Sequence, residues 1–270
     1  MSPDEARPGA HPYAREVVRI DPAARSGTAS QITYRLLTEW GDLEEAAKVV
    51  DAIWDDPALA SASLLRAYTH FGNPTIGAFD AGVLCGVSIG YLAPSGGVHL
   101  HSHITGVLPD QQNSGVGYGL KLAQRDWCLT NGVAEVTWTF DPLLARNAHF
   151  NMRKLGAVAT ALLPAFYGEM RDAFNLGDVT DRLETHWRLT SPRVLRALDG
   201  QRPDDQETRP IVRRITIPWN YHELRASDAG DAATCRSRVR EAMLEAFDDG
   251  LEVVDFSERG EYCFAEQLPR

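Results

Sequence analysis

Positive charge is scarce in this 270-residue chain. There are 27 Lys and Arg against 37 Asp and Glu, and the formal net charge is −10. A surface of that sign repels polyphosphate, so a nucleic-acid-binding protein is disfavoured, with only a local basic patch left open. Long apolar runs are missing too. No stretch approaches the roughly 20 residues that a membrane-spanning helix needs, so no membrane partner is expected. The first thirty residues, MSPDEARPGAHPYAREVVRIDPAARSGTAS, are polar and rich in Pro, Arg and Ala, without the apolar core of a secretory signal. Cysteine is limited to Cys85, Cys128, Cys235 and Cys263, far apart and in no CxxC pair. Scattered thiols without a signal predict reduced cysteines and a cytoplasmic location. No repeat at a solenoid period is present. What is present is ordinary globular stock. The residues are 44% hydrophobic and 24% charged, and the length suits one large domain or two small ones with a sizeable core.

The N-terminal tail to about Ser30 reads as loose, with REVVRI as a short strand at most. ITYRLL (32–37) alternates and predicts a strand. From Asp42, the residues Leu43, Ala46, Ala47, Val50 and Trp54 fall on one helical face, and Asp42 with Glu45 resembles a capping box. SASLLRAYTHFG (61–72) predicts a second helix, with Leu64, Leu65, Tyr68 and Phe71 inward and Gly72 as its stop. TIGAFDAGVLCGVSIGYLAP (75–94) predicts a hairpin turning at Asp80-Ala81-Gly82. A strand over 98–108 follows, then a helix from Gly115 to about Thr130 with Val116, Leu120, Ala123 and Trp127 on its inner face. AEVTWTF (134–140) predicts a strand, Pro142 to Leu155 a helix stopped by Gly156, and 157–163 and 185–190 two further strands. This order predicts a mixed α/β fold on one sheet over residues 31–190.

Composition shifts at DGQRPDDQETRP (199–210), so 191–211 reads as a linker or long surface loop. Beyond it, 212–270 predicts a β-α-β-β extension. It comprises IVRRITI, a helix over 228–248 striped by Ala232, Cys235, Val239, Met243 and Phe247, and a hairpin turning at Glu258-Arg259-Gly260. So few apolar residues cannot make an independent core, and the extension is expected to pack on the main domain or on a partner subunit, as in a homodimer.

QNSGVGYG (112–119) lies between a strand and a helix. Gly115 and Gly117 remove side chains where a ligand would approach the backbone, and the helix that follows offers free N–H groups at a positive dipole end. That device cradles phosphate, but a tight turn without a ligand accounts for a lone GxG equally well. No Gly-Lys-Ser/Thr follows, so this is no Walker A loop. Leu120 stands where a Rossmann fingerprint wants its third glycine.

Just upstream, His99, His101 and His103 occupy every second position. On a strand they share one face, the first and third about 13 Å apart at ~3.3 Å per residue, too far for one zinc ion. Two of them could share a metal only with further ligands, and no acidic or cysteine cluster stands nearby. No metal is therefore expected. The remaining readings are a half-buried strand face and a proton acceptor of pKa near neutrality.

Gln112-x-x-Gly115-x-Gly117, preceded by VLP and followed by an amphipathic helix, resembles motif A of the GNAT acyl-CoA N-acyltransferases. NAHFNMRKLGA (147–157) resembles their second signature, and the elements between stand in the family's order over about 32–190. HSH, LKLAQRDW, VTWTFDPL, NAHFN…KLGA and DRLETHW resemble a bacterial branch of predicted GNAT acyltransferases that includes amino-acid N-acyl- and N-succinyltransferases. This likeness extends to ITIPWN and VVDF.

The resemblance implies a mostly antiparallel central sheet flanked by helices, and acetyl- or succinyl-CoA as acyl donor to a small amine. It implies that the backbone of Val107 meets the pantetheine arm and polarises the thioester carbonyl. Gln112, Asn113, Ser114, Gly115, Val116, Gly117, Tyr118 and Gly119 would wrap the pyrophosphate. Asn147, Phe150 and Lys154 would lie near the thioester and arm. Lys121 and Arg125 are candidates for the local attraction that an anionic cofactor needs from an acidic protein. Counting back from Gln112, His101 and His103 fall where arylalkylamine N-acetyltransferases carry a two-histidine proton relay, which makes them candidate general bases. The tyrosine that protonates the departing thiolate in many GNATs is replaced by Met152, and Tyr167 is the nearest substitute. A substrate carboxylate calls for a bidentate Arg. Arg146, Arg153 and Arg182 are candidates, Arg182 foremost, with a structural Asp181–Arg182 ion pair as its alternative. A non-catalytic acyl-CoA-binding module and a Rossmann-type nucleotide enzyme are the competing classes.

Overall fold

Residues 32–168, 178–202 and 209–268 are described in the computed structural model, and they fall into two units, each treated separately below. The expected N-terminal tail with REVVRI, and 203–208 of the expected linker, lie outside the described residues.

The first unit comprises residues up to Leu92 together with Ser102–Gly132. Strand β1 (Thr33–Leu36) pairs antiparallel with β2 (Thr75–Asp80), which pairs antiparallel with β3 (Val83–Ala93). The β2–β3 turn places Ala81 at φ 46° and Gly82 at φ 86°. Two successive left-handed residues match the right-handed twist of the strands they join, which is why this hairpin was legible in the sequence. Helices α1 (Trp40–Trp54) and α2 (Ala62–His70) build one apolar core, joining Leu43, Ala46, Val50 and Leu65 to Val87, Ile89 and Ile104. Helix α3 (Val116–Thr130) builds another, joining Val116, Leu120 and Ala123 to Tyr34, Ile76 and Ala78.

Two local expectations fail here. Helix α1 starts two residues before Asp42, and both Asp42 oxygens take the Arg35 guanidinium at 2.5 and 2.9 Å, so no capping box forms. Leu64 and Phe71 face solvent instead of the core. Leu64 is rotated one residue away from the Leu65 face, and Phe71 lies past the helix end as its C-cap.

Strand β4 (His99–Val107) is divided, with Ser102–Val107 in this unit. Leu100, Ser102, Ile104 and Gly106 are buried while the intervening residues, the three histidines among them, are half-buried. Buried Ser102 accepts a 2.8 Å hydrogen bond from Lys121 Nζ. Lys121 also reaches Gln124 Oε1 at 3.4 Å, and Gln124 Nε2 donates to Ser88 Oγ at 2.9 Å. Lys121 is 4% exposed, and burial pulls its pKa from 10.5 to about 7. A lysine held this way has no surface role, so the expected part for Lys121 in attracting an anionic cofactor is overturned.

The second unit comprises Ala93–His101 and the chain from Val133 onward. Its strand order is β4 (by His99–His101), β5 (Glu135–Phe140), β7 (Arg182–Arg188), β6 (Val158–Leu163), β9 (Leu251–Phe256), β10 (Glu261–Glu266) and β8 (Arg213–Thr216). Among the described residues of this unit β4–β5 is parallel, over Leu100↔Val136 and His101↔Thr137, and the other pairings are antiparallel. The fold is thus mixed α/β on a mostly antiparallel sheet flanked by helices. The C-terminal hairpin joins this sheet through Ala159↔Val253.

Helix α4 (Ala145–His149) continues into a π turn (Phe150–Lys154), with Leu155 N–H bonded to Phe150 O at 3.0 Å, and ends at Gly156, φ 71°. Within the expected linker, Ser191 caps helix α5 (Pro192–Leu198). Buried Arg193 of α5 ties down the preceding turn by donating to Gly156 O, Met152 O and Val254 O. Strand β7 begins at Arg182 rather than Thr185, because Arg182 and Leu183 pair with Leu163 and Leu162. Helices α6 (Tyr221–Ser227) and α7 (Ala229–Asp248) complete the unit. All four cysteines are free thiols. No helix among the described residues is long and apolar enough to cross a membrane.

Two stability measurements follow from the first unit. A Cβ on Gly119 would stand 2.0 Å from Tyr34 Oη, whereas one on Gly117 would meet only Val107 Cγ2 at 3.7 Å. Gly119→Ala is therefore expected to destabilise by roughly 1–3 kcal/mol in urea titration, from overpacking, and Gly117→Ala by much less. For Lys121, the folded state sheds its proton first, so the unfolded state binds more protons between pH 7 and 10.5. Its burial penalty is full below about pH 7 and relieved as pH rises toward 10.5. The stability difference between wild type and Lys121→Met should rise with pH across that window and be flat below it.

Candidate active site

The strand-to-helix loop of the first unit is built from short-range bonds. A 3₁₀ turn over Pro109–Gln111 brings Gln112 Nε2 to Val107 O at 3.2 Å. Ser114 Oγ donates to Gln111 O at 2.5 Å, and Asn113 takes φ 64°. Gly115 is the N-cap of α3 at φ 90°, and no side chain caps the helix. The N–H groups of the first turn therefore open onto exposed backbone, since residues 112–115 are all exposed. A Cβ on Gly115 would meet nothing within 4 Å. Its glycine serves the left-handed turn and leaves the space in front clear, while Gly117 lies lightly against Val107. Gly119 differs: it is buried and its missing side chain is occupied by Tyr34, so it is a packing glycine. Val116 is likewise core, and Tyr118 is half-buried.

Among the histidines, His103 belongs to the first unit, where its ring lies 6.1 Å from that of Tyr91, and burial pushes its pKa below 6.5. An imidazole so placed is neutral at pH 7 and able to accept a proton. In the second unit, His99 Nδ1 turns back to Gly97 O at 3.0 Å, and His101 Nδ1 hydrogen-bonds Thr137 Oγ1 at 3.1 Å.

Strand β5 then gathers two of the candidate residues. Thr137 and Thr139 lie on one face, about 6.6 Å apart by strand geometry. Thr137 holds His101, and Thr139 Oγ1 lies 3.3 Å from Tyr167 Oη. Tyr167 is 39% exposed, and its ring lies 5.4 Å beneath the Arg182 guanidinium. His101 and Tyr167 are thus held by adjacent same-face residues of one strand.

The same face carries a group that the sequence reading passed over. His186 stands across from Thr137, with Nδ1 2.9 Å from Glu135 Oε1 and Nε2 4.0 Å from Glu184 Oε2. Burial presses its pKa down, but the two carboxylates prevail and raise it to about 9. The signal was available, because Glu184, His186 and Arg188 alternate along β7.

Asn147 and Lys154 are exposed on α4 and the π turn, and Phe150 is half-buried. Met152 is fully buried, so the position where a tyrosine was sought is core packing. Arg153 is bound bidentately by Asp255 at 2.8 and 2.9 Å. Arg182 is 7% exposed and donates to the Asp181 carbonyl at 2.9 Å. The expected Asp181–Arg182 ion pair does not form, because the Asp181 carboxylate turns to Arg240. Among the described residues no three His, Cys, Asp or Glu side chains gather as a metal site.

No family model matches the chain, and no curated protein matches it. Among solved structures it is similar to the ribosomal-protein-S18-alanine N-acetyltransferase from Escherichia coli, with 17% identity over 59% of this chain and 95% of that one, TM-score 0.48. It is similar to yncA from Salmonella typhimurium, solved with its cofactor acetyl-CoA, with 17% identity, 60% and 96% coverage and TM-score 0.48. An acetyltransferase of the GNAT family from Streptococcus pneumoniae has 14% identity, 57% and 97% coverage and TM-score 0.47.

Proposed function

We propose that this protein is a coenzyme-A-dependent N-acyltransferase of GNAT type, moving an acetyl or succinyl group to the amine of a small molecule such as an amino acid. The observation that carries the reading is the pair of threonine contacts on β5, His101 at Thr137 and Tyr167 at Thr139. The uncapped, exposed turn at Gly115 supports it as a pyrophosphate cradle, with Gln112, Asn113, Ser114, Val116, Gly117 and Tyr118 around it. Asn147, Phe150 and Lys154 are assigned to the cofactor arm and Val107 to the thioester carbonyl. Free thiols support a cytoplasmic location.

The amine arrives as ammonium, and His101 or His103 removes its proton. The nitrogen pair attacks the thioester carbonyl and forms the C–N bond. The C–S bond then breaks, Tyr167 gives its proton to the departing thiolate, and the second proton, shed by the acylated nitrogen, restores the Tyr167 phenol. Arg182 contributes through Tyr167, since its guanidinium lies over that ring. The buried Met152 favours one competing reading, a GNAT-like module that binds acyl-CoA without turnover.

Thiol release from acetyl-CoA and succinyl-CoA across a panel of amines and amino acids decides between them. Release with at least one amine is expected, and tight CoA binding with none would favour the module. Replacing His101 and His103 together by Ala should lower turnover about 100-fold near pH 7. The deficit should shrink as pH approaches the amine's own pKa, and CoA affinity should not change. Unchanged turnover in that variant removes the general-base assignment.

A further inference from the structure

Tyr167 sits on a turn that borrows its rigidity from elsewhere. Phe166 N–H donates to Thr180 O at 3.0 Å and Tyr167 N–H to Thr180 Oγ1 at 3.1 Å. Thr180 Oγ1 in turn donates to Gly168 O at 2.9 Å. Ala165 adopts φ 49°, a left-handed conformation that a residue with a side chain keeps only where its surroundings enforce it. The enforcing group is Asp181, which is 1% exposed and accepts from Ala165 N–H at 3.1 Å.

The other Asp181 oxygen faces helix α7. Arg240 Nε donates to it at 2.9 Å, and Arg236 Nη1 stands 4.0 Å away. Arg236 lies one helical turn earlier and is 3% exposed. It grips Asp141 at 2.8 and 3.3 Å and Asp178 at 2.7 Å, and Tyr221 Oη donates to the same Asp178 oxygen at 3.1 Å. Asp178 and Asp181 bracket Thr180, the partner of the Tyr167 turn, and Asp141 follows the end of β5, two residues after Thr139. Two arginines of the C-terminal extension therefore hold the segment on which the Tyr167 turn is built. A pair of solvated charges would contribute little. Asp181 is buried, so losing Arg240 leaves a carboxylate short of its closest cation.

We infer that helix α7 belongs to the catalytic apparatus, with Arg240 and Arg236 acting through Asp181 as positioning residues for the turn that carries Tyr167. This rests on the assignment of Tyr167 as proton donor made above.

Arg236→Met removes a hub and threatens the fold, so Arg240→Gln in the full chain carries the test. Hydrogen exchange at the Phe166 and Tyr167 amides needs no substrate. In Arg240→Gln their protection is expected to fall about tenfold. The kcat for acyl transfer from acetyl-CoA to the best amine of the panel should fall about tenfold, with the KM for acetyl-CoA unchanged. Arg240→Lys should recover most of both. In a Tyr167→Phe background, Arg240→Gln should cost nothing further, which a merely structural role would not predict. Unaltered amide protection, or losses that multiply in the double variant, would overturn the inference. Full turnover in Tyr167→Phe would overturn the Tyr167 assignment and this inference together. A slow Tyr167→Phe beside a fully active Arg240→Gln would overturn this inference alone.

Discussion

Strand alternation is the constraint on which the candidate site depends. A strand sends successive side chains to opposite faces, and β5 uses this strictly. Val136, Trp138 and Phe140 go to the core, while Glu135, Thr137 and Thr139 go to the other face. Shifting the register by one residue would turn Trp138 and Phe140 toward the threonine face. The same rule on β4 separates half-buried histidines from the residues between them, which include Ser102 with its buried lysine. Candidate proton-handling groups and core packing are thus interleaved residue by residue, so the apolar half of each strand fixes the polar half in place.

Two of the buried cations, Lys121 and Arg236, reveal different solutions to one problem. Lys121 has hydroxyl and amide partners with the thiol of Cys128 nearby, and burial makes it tend to give up its charge. Arginine has no such exit, because guanidinium stays protonated at any ordinary pH. Arg236 accordingly collects Asp141 and Asp178 at contact distance and Asp181 at 4.0 Å; burial opposes its charge, and Asp141 and Asp178 drive its pKa further upward. A lysine that can shed its charge tolerates burial under a strand with hydroxyl and amide partners. An obligate cation must draw carboxylates from several segments, which makes it a clamp between elements that sequence order keeps far apart.

The sequence disclosed what rests on short-range rules. Ala81-Gly82, Gly115, Gly156 and Gly260 are left-handed turns whose residue types announce them, and the element order came out along with them. It hid what depends on distant partners. Asp42 looked like half of a capping box until Arg35, seven residues earlier, claimed both of its oxygens. Asp181 next to Arg182 looked like an ion pair, but only the fold brings Arg240 near enough to outcompete it. Helix α5 was masked by the polar stretch after it, though Ser191-Pro192 is a sound N-terminal signal. The candidate bases were legible because they lie on one strand, and the His186 row was missed because it needs β7 set beside β5.

The three glycines of GVGYG show how little of such a motif is chemical recognition. Gly115 is there for its backbone angle, with open space before it, Gly119 for the phenol of Tyr34, and Gly117 lies in ordinary contact with Val107. A helix turns about 100° per residue, so positions four apart return to nearly the same side, displaced by one turn. Gly115 stands at the open end of α3 and Gly119 a turn deeper against β1. The close packing at Gly119 is what lets the first turn of α3 end in uncapped N–H groups without a side chain to hold them. The proposed anion cradle would thus be supported from behind, by a contact that touches no ligand.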